Sequence, residues 1–235
     1  MSRSTVWIAA AAALAVAWLA GRAFLARGTM PGHATAAVAV PAGEASPPSA
    51  ADRIADPRVG ARAAAAIPAH LPAFRLKTLA GQPESISKFA GRSLILNFWA
   101  TWCSPCRREI PLLESIDRAW RARRFTVIGV AVDQPRAVEK FARRFKIGYP
   151  LMQGEQDALN VAASLGVASP VFPFTVFTDD RGELVALYLG ELHRPQIEMI
   201  LGIVSELNAH RIDLPAARRA IVAGLARWRT GRTTG

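Results

Sequence analysis

The chain has 235 residues, 51% of them hydrophobic and 20% charged, with a net charge of +11. That length fits one ordinary domain with flanking segments, and two cysteines exclude a disulfide-stapled scaffold. The basic excess falls mostly in residues 1–66 and 209–235; lacking the aromatic–basic interleaving of a nucleic-acid module, it reads as solvation or attraction to a membrane surface.

Residues 1–27 open with Arg3, continue in an apolar run from Val6 to Ala20, and reach Arg22. A basic start followed by an apolar stretch predicts an N-terminal membrane anchor, with a cleaved export signal or a plain surface helix as the alternatives. The run falls short of the roughly 20 residues a span prefers, so Arg22 must snorkel if the span extends past it. Residues 28–66 are rich in Ala, Pro, Gly and Ser and offer little to bury, which predicts a flexible linker.

From Ile67 the texture is that of a folded domain, expected over residues 67–208. Residues 94–99 are almost continuously apolar and predict a buried strand. A helix is expected from Ser104 to about Arg121, with Ile110, Leu113, Ile116 and Trp120 mostly on one face. Residues 125–132 form the next expected strand, and residues 136–146 and 157–165 two further helices. A strand at 174–177, a turn at Asp179-Asp180-Arg181-Gly182 and a return strand at 184–189 make a hairpin; a helix over 195–207 follows. The early strand–helix–strand order implies parallel pairing and the hairpin makes the sheet mixed, so the fold class is α/β with helices flanking a central sheet. Residues 209–235 are set apart as a basic tail. Asp213 and Pro215 could open an amphipathic helix there, striped by Ile221, Leu225 and Trp228. Packing on the domain, lying on a membrane, and disorder are its three alternatives.

Cys103 and Cys106 stand at the junction of the first strand and its helix. Two intervening residues let the sulfurs close into a disulfide, and the positive helix end favours thiolate at Cys103. Cys103 is therefore the expected attacking sulfur and Cys106, one turn in, the resolving one. Pro105 suits a helix's first turn because its missing N–H costs nothing there. Structural zinc would need two further ligands, and His33, His70, His193 and His210 form no ligand-like pair, so neither metal nor other cofactor is expected. Glu109, three residues beyond Cys106, is a candidate acceptor for the Cys106 proton; the alternative is a surface glutamate in an N-terminal turn. Asn97 points from the strand toward the same region and is uncharged. Pro173 cannot donate to a ladder, so its place before a strand implies a special backbone, with a cis peptide as one explanation.

The run Trp102-Cys103-Ser104-Pro105-Cys106-Arg107-Arg108-Glu109-Ile110-Pro111 resembles the WCxPCxxExP signature of the membrane-anchored TlpA/ResA-type branch of the thioredoxin superfamily. The resemblance covers residues 67–208. It implies a thioredoxin fold with an additional helix and strand in its core, Glu109 in the proton-accepting role, and a cis-proline loop at Pro173. The expected client-binding residues are Trp102, Ser104, Pro105, Phe172 and Pro173. It further implies a single-pass protein of the bacterial inner membrane with its catalytic domain in the periplasm. The dithiol would be kept reduced by a transmembrane electron donor of the DsbD/CcdA type and would act on exported clients such as apocytochrome c or copper-site assembly proteins. Phe172 departs from the smaller residues of relatives and narrows the expected groove. Phe174 stands where cytochrome-c-maturation members carry an acid, which weighs against that client. The leading expectation is a monomeric disulfide reductase with no nucleic-acid partner. A net oxidase, a peroxide-handling relative and a copper(I)-binding chaperone are the competing readings.

Overall fold

The computed structural model describes residues 67–230; the expected membrane segment and linker lie outside them. Two fully buried parallel strands, β3 (Ser93–Trp99) and β4 (Phe125–Ala131), form the centre of the sheet. Their apolar, β-branched composition suits strands covered on both faces. The remaining strands are β1 (Arg75–Thr78), β2 (Pro83–Ser85), β5 (Leu151–Gln153), β6 (Phe174–Thr178) and β7 (Leu184–Leu189), in spatial order β2-β1-β5-β4-β3-β6-β7. β5 joins β4 in parallel, while β6 runs antiparallel to β3 and pairs with β7 as a hairpin. Gly182, at φ +81°, supplies the left-handed residue of that hairpin's turn.

Residues of β3 alternate between two hydrophobic layers. Ile95 and Trp99 meet α1 (Ser104–Trp120), α2 (Pro135–Phe145), α4 (Arg194–Asn208) and α5 (Leu214–Thr230). Leu94, Leu96 and Phe98 face the opposite layer, covered by α3 (Gln156–Ser164) and a short 3-10 turn at Ile86–Phe89. The result is a mixed seven-stranded α/β sheet, an elaborated thioredoxin fold in which α2, β5 and α3 follow β4 and precede β6 along the chain.

The antiparallel β1–β2 pair has no counterpart in the sequence pattern, because β1 buries only Leu76 of its four residues. β5 is equally hard to read at three residues. Residues 214–230, set apart above as tail, form α5, whose Ala217 and Ile221 are buried in the same layer as α1 and α4. Trp228, expected on that stripe, is 41% exposed. Among the described residues no helix is long and apolar enough to cross a membrane.

Candidate active site

The Cys103 residue is the N-cap of α1, in extended conformation, with its sulfur accepting the backbone N–H of Cys106 at 3.2 Å. One of the helix's orphan donors is thereby directed at the sulfur itself. Pro105 lies within the first turn, where no N–H is needed. The two cysteines are joined, with S–S 1.98 Å and Cα–Cα 5.3 Å, and both are buried. The preceding loop is tied to the end of β4: Thr101 donates its N–H and its hydroxyl to Asp133 Oδ2 at 3.0 and 2.5 Å. Asp133 was not singled out from the sequence, because nothing local relates it to Thr101.

Glu109 is only 1% exposed. Its Oε1 accepts the Leu192 N–H at 3.0 Å and its Oε2 accepts the Asn97 side-chain amide at 3.1 Å. The same Asn97 nitrogen donates to Thr175 Oγ1 at 3.0 Å. Asn97 and Thr175 are register partners on β3 and β6, so the sheet presents both beneath α1. Burial pushes the Glu109 carboxyl up to about 7, overcoming the Leu192 N–H and the Asn97 amide, which pull it down; the charge of Glu191 adds a smaller upward push. Among the described residues no cation offsets the burial, for the neighbouring Arg108 turns outward onto Glu191.

The Phe172–Pro173 peptide is cis, and the Pro173 carbonyl accepts the Gly190 N–H at 2.9 Å. Phe172 lies edge-on to Trp102, with ring centroids 6.0 Å apart, and near-parallel to Phe174 at 6.2 Å; Phe174 in turn stacks on the buried Phe98 at 4.3 Å. This series of rings explains how Trp102 keeps a defined position while 68% exposed. Val171, the chain neighbour of Phe172, is also exposed, so apolar side chains stand at the surface on both sides of the Trp102–Phe172 contact. Ser104 is exposed, its hydroxyl accepting from Arg107 at 3.1 Å. The structure thus brings Trp102 and Phe172 into contact beside the cysteine pair and buries Glu109 on the side of α1 that meets β3. The links from Thr175, Glu191 and the Leu192 amide were not foreseen.

A closed cysteine pair at the strand-to-helix junction of a thioredoxin fold defines a thiol:disulfide oxidoreductase. Comparison with known proteins narrows the class. Residues 67–188 match the AhpC/TSA family. The chain is 32% identical over 138 residues to thiol-disulfide oxidoreductase ResA of Geobacillus kaustophilus, a match covering 58% of this chain and 77% of the relative. It is 31% identical over 136 residues to the thioredoxin-like protein YneN of Bacillus subtilis, covering 56% and 76% respectively. Among solved structures, a thiol:disulfide interchange protein of the thioredoxin family from Chlorobium tepidum is similar at TM-score 0.53 and 28% identity, covering 59% of this chain and 97% of that one. The chain belongs to the AhpC/TSA family and is related to the TlpA/ResA/DsbE-type thiol:disulfide oxidoreductases.

Proposed function

We propose that the protein reduces disulfides in exported client proteins, with Cys103 attacking, Cys106 resolving and Glu109 holding the proton. The observation that carries this reading is the buried Glu109, with no cation beside it among the described residues and its carboxyl raised to about 7. The Cys103 thiolate attacks one client sulfur, and the other client sulfur leaves as thiolate. Cys106 then gives its proton to the Glu109 carboxylate and attacks Cys103 Sγ. The client sulfur bound to Cys103 departs as thiolate, and the two electrons have passed from protein to client. What remains is the Cys103–Cys106 disulfide, the form seen here.

Trp102, Phe172 and the backbone at Pro173 would receive the client strand, with Ser104 and Pro105 at its edge; the exposed apolar surface at Trp102 and Val171 supports this. A dithiol donor must regenerate the pair. The TlpA/ResA kinship supports a transmembrane donor of the DsbD/CcdA type, an inner-membrane anchor in residues 1–27, a periplasmic catalytic domain, and clients such as copper-site assembly proteins or apocytochrome c.

Replacing Cys106 with Ser should trap clients as mixed disulfides on Cys103, visible on non-reducing gels. Trapping by Cys103→Ser in place of Cys106→Ser would reverse the assigned roles. Thiol alkylation in cells, read on the membrane fraction, tests direction: a mostly reduced pair fits a reductase, a mostly oxidised pair a net oxidase.

A further inference from the structure

Three of the four residues in the loop between β7 and α4 each bind a different part of the site, and the fourth caps α4. The Gly190 N–H donates to the Pro173 carbonyl at 2.9 Å. Glu191 pairs with Arg108 of α1 through contacts of 2.5, 3.1 and 3.2 Å. The Leu192 N–H donates to Glu109 at 3.0 Å, and the His193 N–H to Gln196 Oε1 at 2.9 Å at the start of α4. Residues 108 and 109 on the helix are thus cross-linked in register to residues 191 and 192 on the loop. The outer link is an ion pair, with Arg108 62% and Glu191 21% exposed by side chain; the inner one is a buried amide on a carboxyl.

We infer that Glu191 and Arg108 are positioning residues for the exchange reaction, holding the loop along α1 so that the Leu192 N–H stays on Glu109. This rests on the proton-accepting role proposed for Glu109. An isolated surface ion pair contributes little to stability, but this one joins two elements and neighbours the hydrogen bond it would guard. The buried side chain of Leu192 sets the depth of the loop, whereas the ion pair sets its position along the helix.

The groups facing Glu109 make the expected signs explicit. Asn97 of β3 and Thr175 of β6 are uncharged, and Cys106 shares its helix. Tyr149, just before β5, interacts with it electrostatically but is a buried, neutral phenol. Glu191 and Arg108 are the nearby charges. Arg108→Gln frees the loop and leaves Glu191 without its counter-ion. Losing the Leu192 N–H and keeping the unscreened Glu191 charge both favour the protonated form of Glu109. Glu191→Gln removes that charge while loosening the same loop, so its two effects oppose each other.

The test combines two readouts. One is the pH dependence of resolution, followed as release of thionitrobenzoate from Cys103; the other is hydrogen exchange of the Leu192 amide. In Arg108→Gln the midpoint should move up by about half a unit and Leu192 should exchange at least about threefold faster. Glu191→Gln should speed exchange similarly with a midpoint below that of Arg108→Gln. The charge-exchanged pair Arg108→Glu with Glu191→Arg should restore Leu192 protection. Unchanged Leu192 exchange overturns the inference whatever the midpoint does, since only a through-space charge effect would then remain. Faster exchange with an unchanged midpoint overturns it as well. Glu109→Gln separates the two levels: if that variant keeps the wild-type profile, the Glu109 role fails and the inference with it. If it loses the pH dependence while Arg108→Gln does not shift it, the inference alone fails.

Discussion

Two carboxylates are buried along α1, and their surroundings give them different work. Asp117 accepts the Val127 N–H at 3.2 Å and pairs with Arg121, so its charge has both a donor and a counter-ion. Among the described residues Glu109 has neutral donors alone, which is why desolvation dominates and the carboxyl rises to about 7. Near neutrality such a group is close to half ionised, the condition under which it both accepts and returns a proton readily. Resolution by Cys106 should therefore accelerate through about pH 7 as Glu109 ionises, then level off. Glu109→Gln should remove that limb and slow the step by roughly 10²-fold, read by stopped-flow release from Cys103. An unchanged profile would take Glu109 out of the reaction. The cysteines, Pro105 and the spacing to Glu109 were all legible in the sequence because they lie on one helix turn and its neighbour. Leu192 was not, since it meets Glu109 across 83 positions of chain.

At the scale of elements, the sheet and its helical cover make their own demands. Gly129 lies on β4 opposite Asn97 on β3. A Cβ there would come to 2.5 Å from Leu151 Cδ2, 3.0 Å from Trp99 Nε1 and 3.1 Å from Tyr149 Cε2. The missing side chain is what lets the Tyr149 ring lie against the strand. Gly129→Ala should thus cost about 1–3 kcal/mol by overpacking, measured as a lower urea midpoint; a neutral result would mean that Leu151 can rotate away freely. The helix α5 is bound to the domain by more than proximity: Ile221 is 2% exposed, and the Arg218 guanidinium donates to the Leu184 carbonyl of β7 at 2.6 Å. Ile221→Ala should destabilise the whole domain by about 2–4 kcal/mol. If the loss of α5 packing instead left the main unfolding transition unmoved, α5 would be an accessory. Of its expected stripe Ile221 and Leu225 pack on the domain while Trp228 does not, and Ala217 was not expected there; spacing records a face and not its partner.

Over the whole molecule, the buried carboxyl makes stability depend on pH. Unfolded, Glu109 titrates near 4.5; folded, near 7. Below the lower value both states hold the proton and the burial cost is absent. Between the two, the unfolded chain releases a proton that the folded one keeps, so stability falls as pH rises, and above the upper value the full cost remains. The cost is up to about 3 kcal/mol. The stability difference between wild type and Glu109→Gln, measured in urea at about pH 5 and about pH 8, should shift by that order in favour of the variant; a constant difference would show that the carboxyl is hydrated. The local parts of this protein were determined by sequence alone: the buried central strands, the helix that follows the cysteines, the closing hairpin, and the dithiol itself. Each depends on residues within one or two turns of one another, where periodicity and capping act directly. Only the tertiary structure decided the rest. The β1–β2 edge, the seating of α5, the aromatic series from Phe98 to Trp102 and the set of donors around Glu109 unite residues far apart in the chain. Such contacts arise from strand order and register, which bring Asn97, Thr175 and Leu192 to one place and leave no trace in the spacing of any segment.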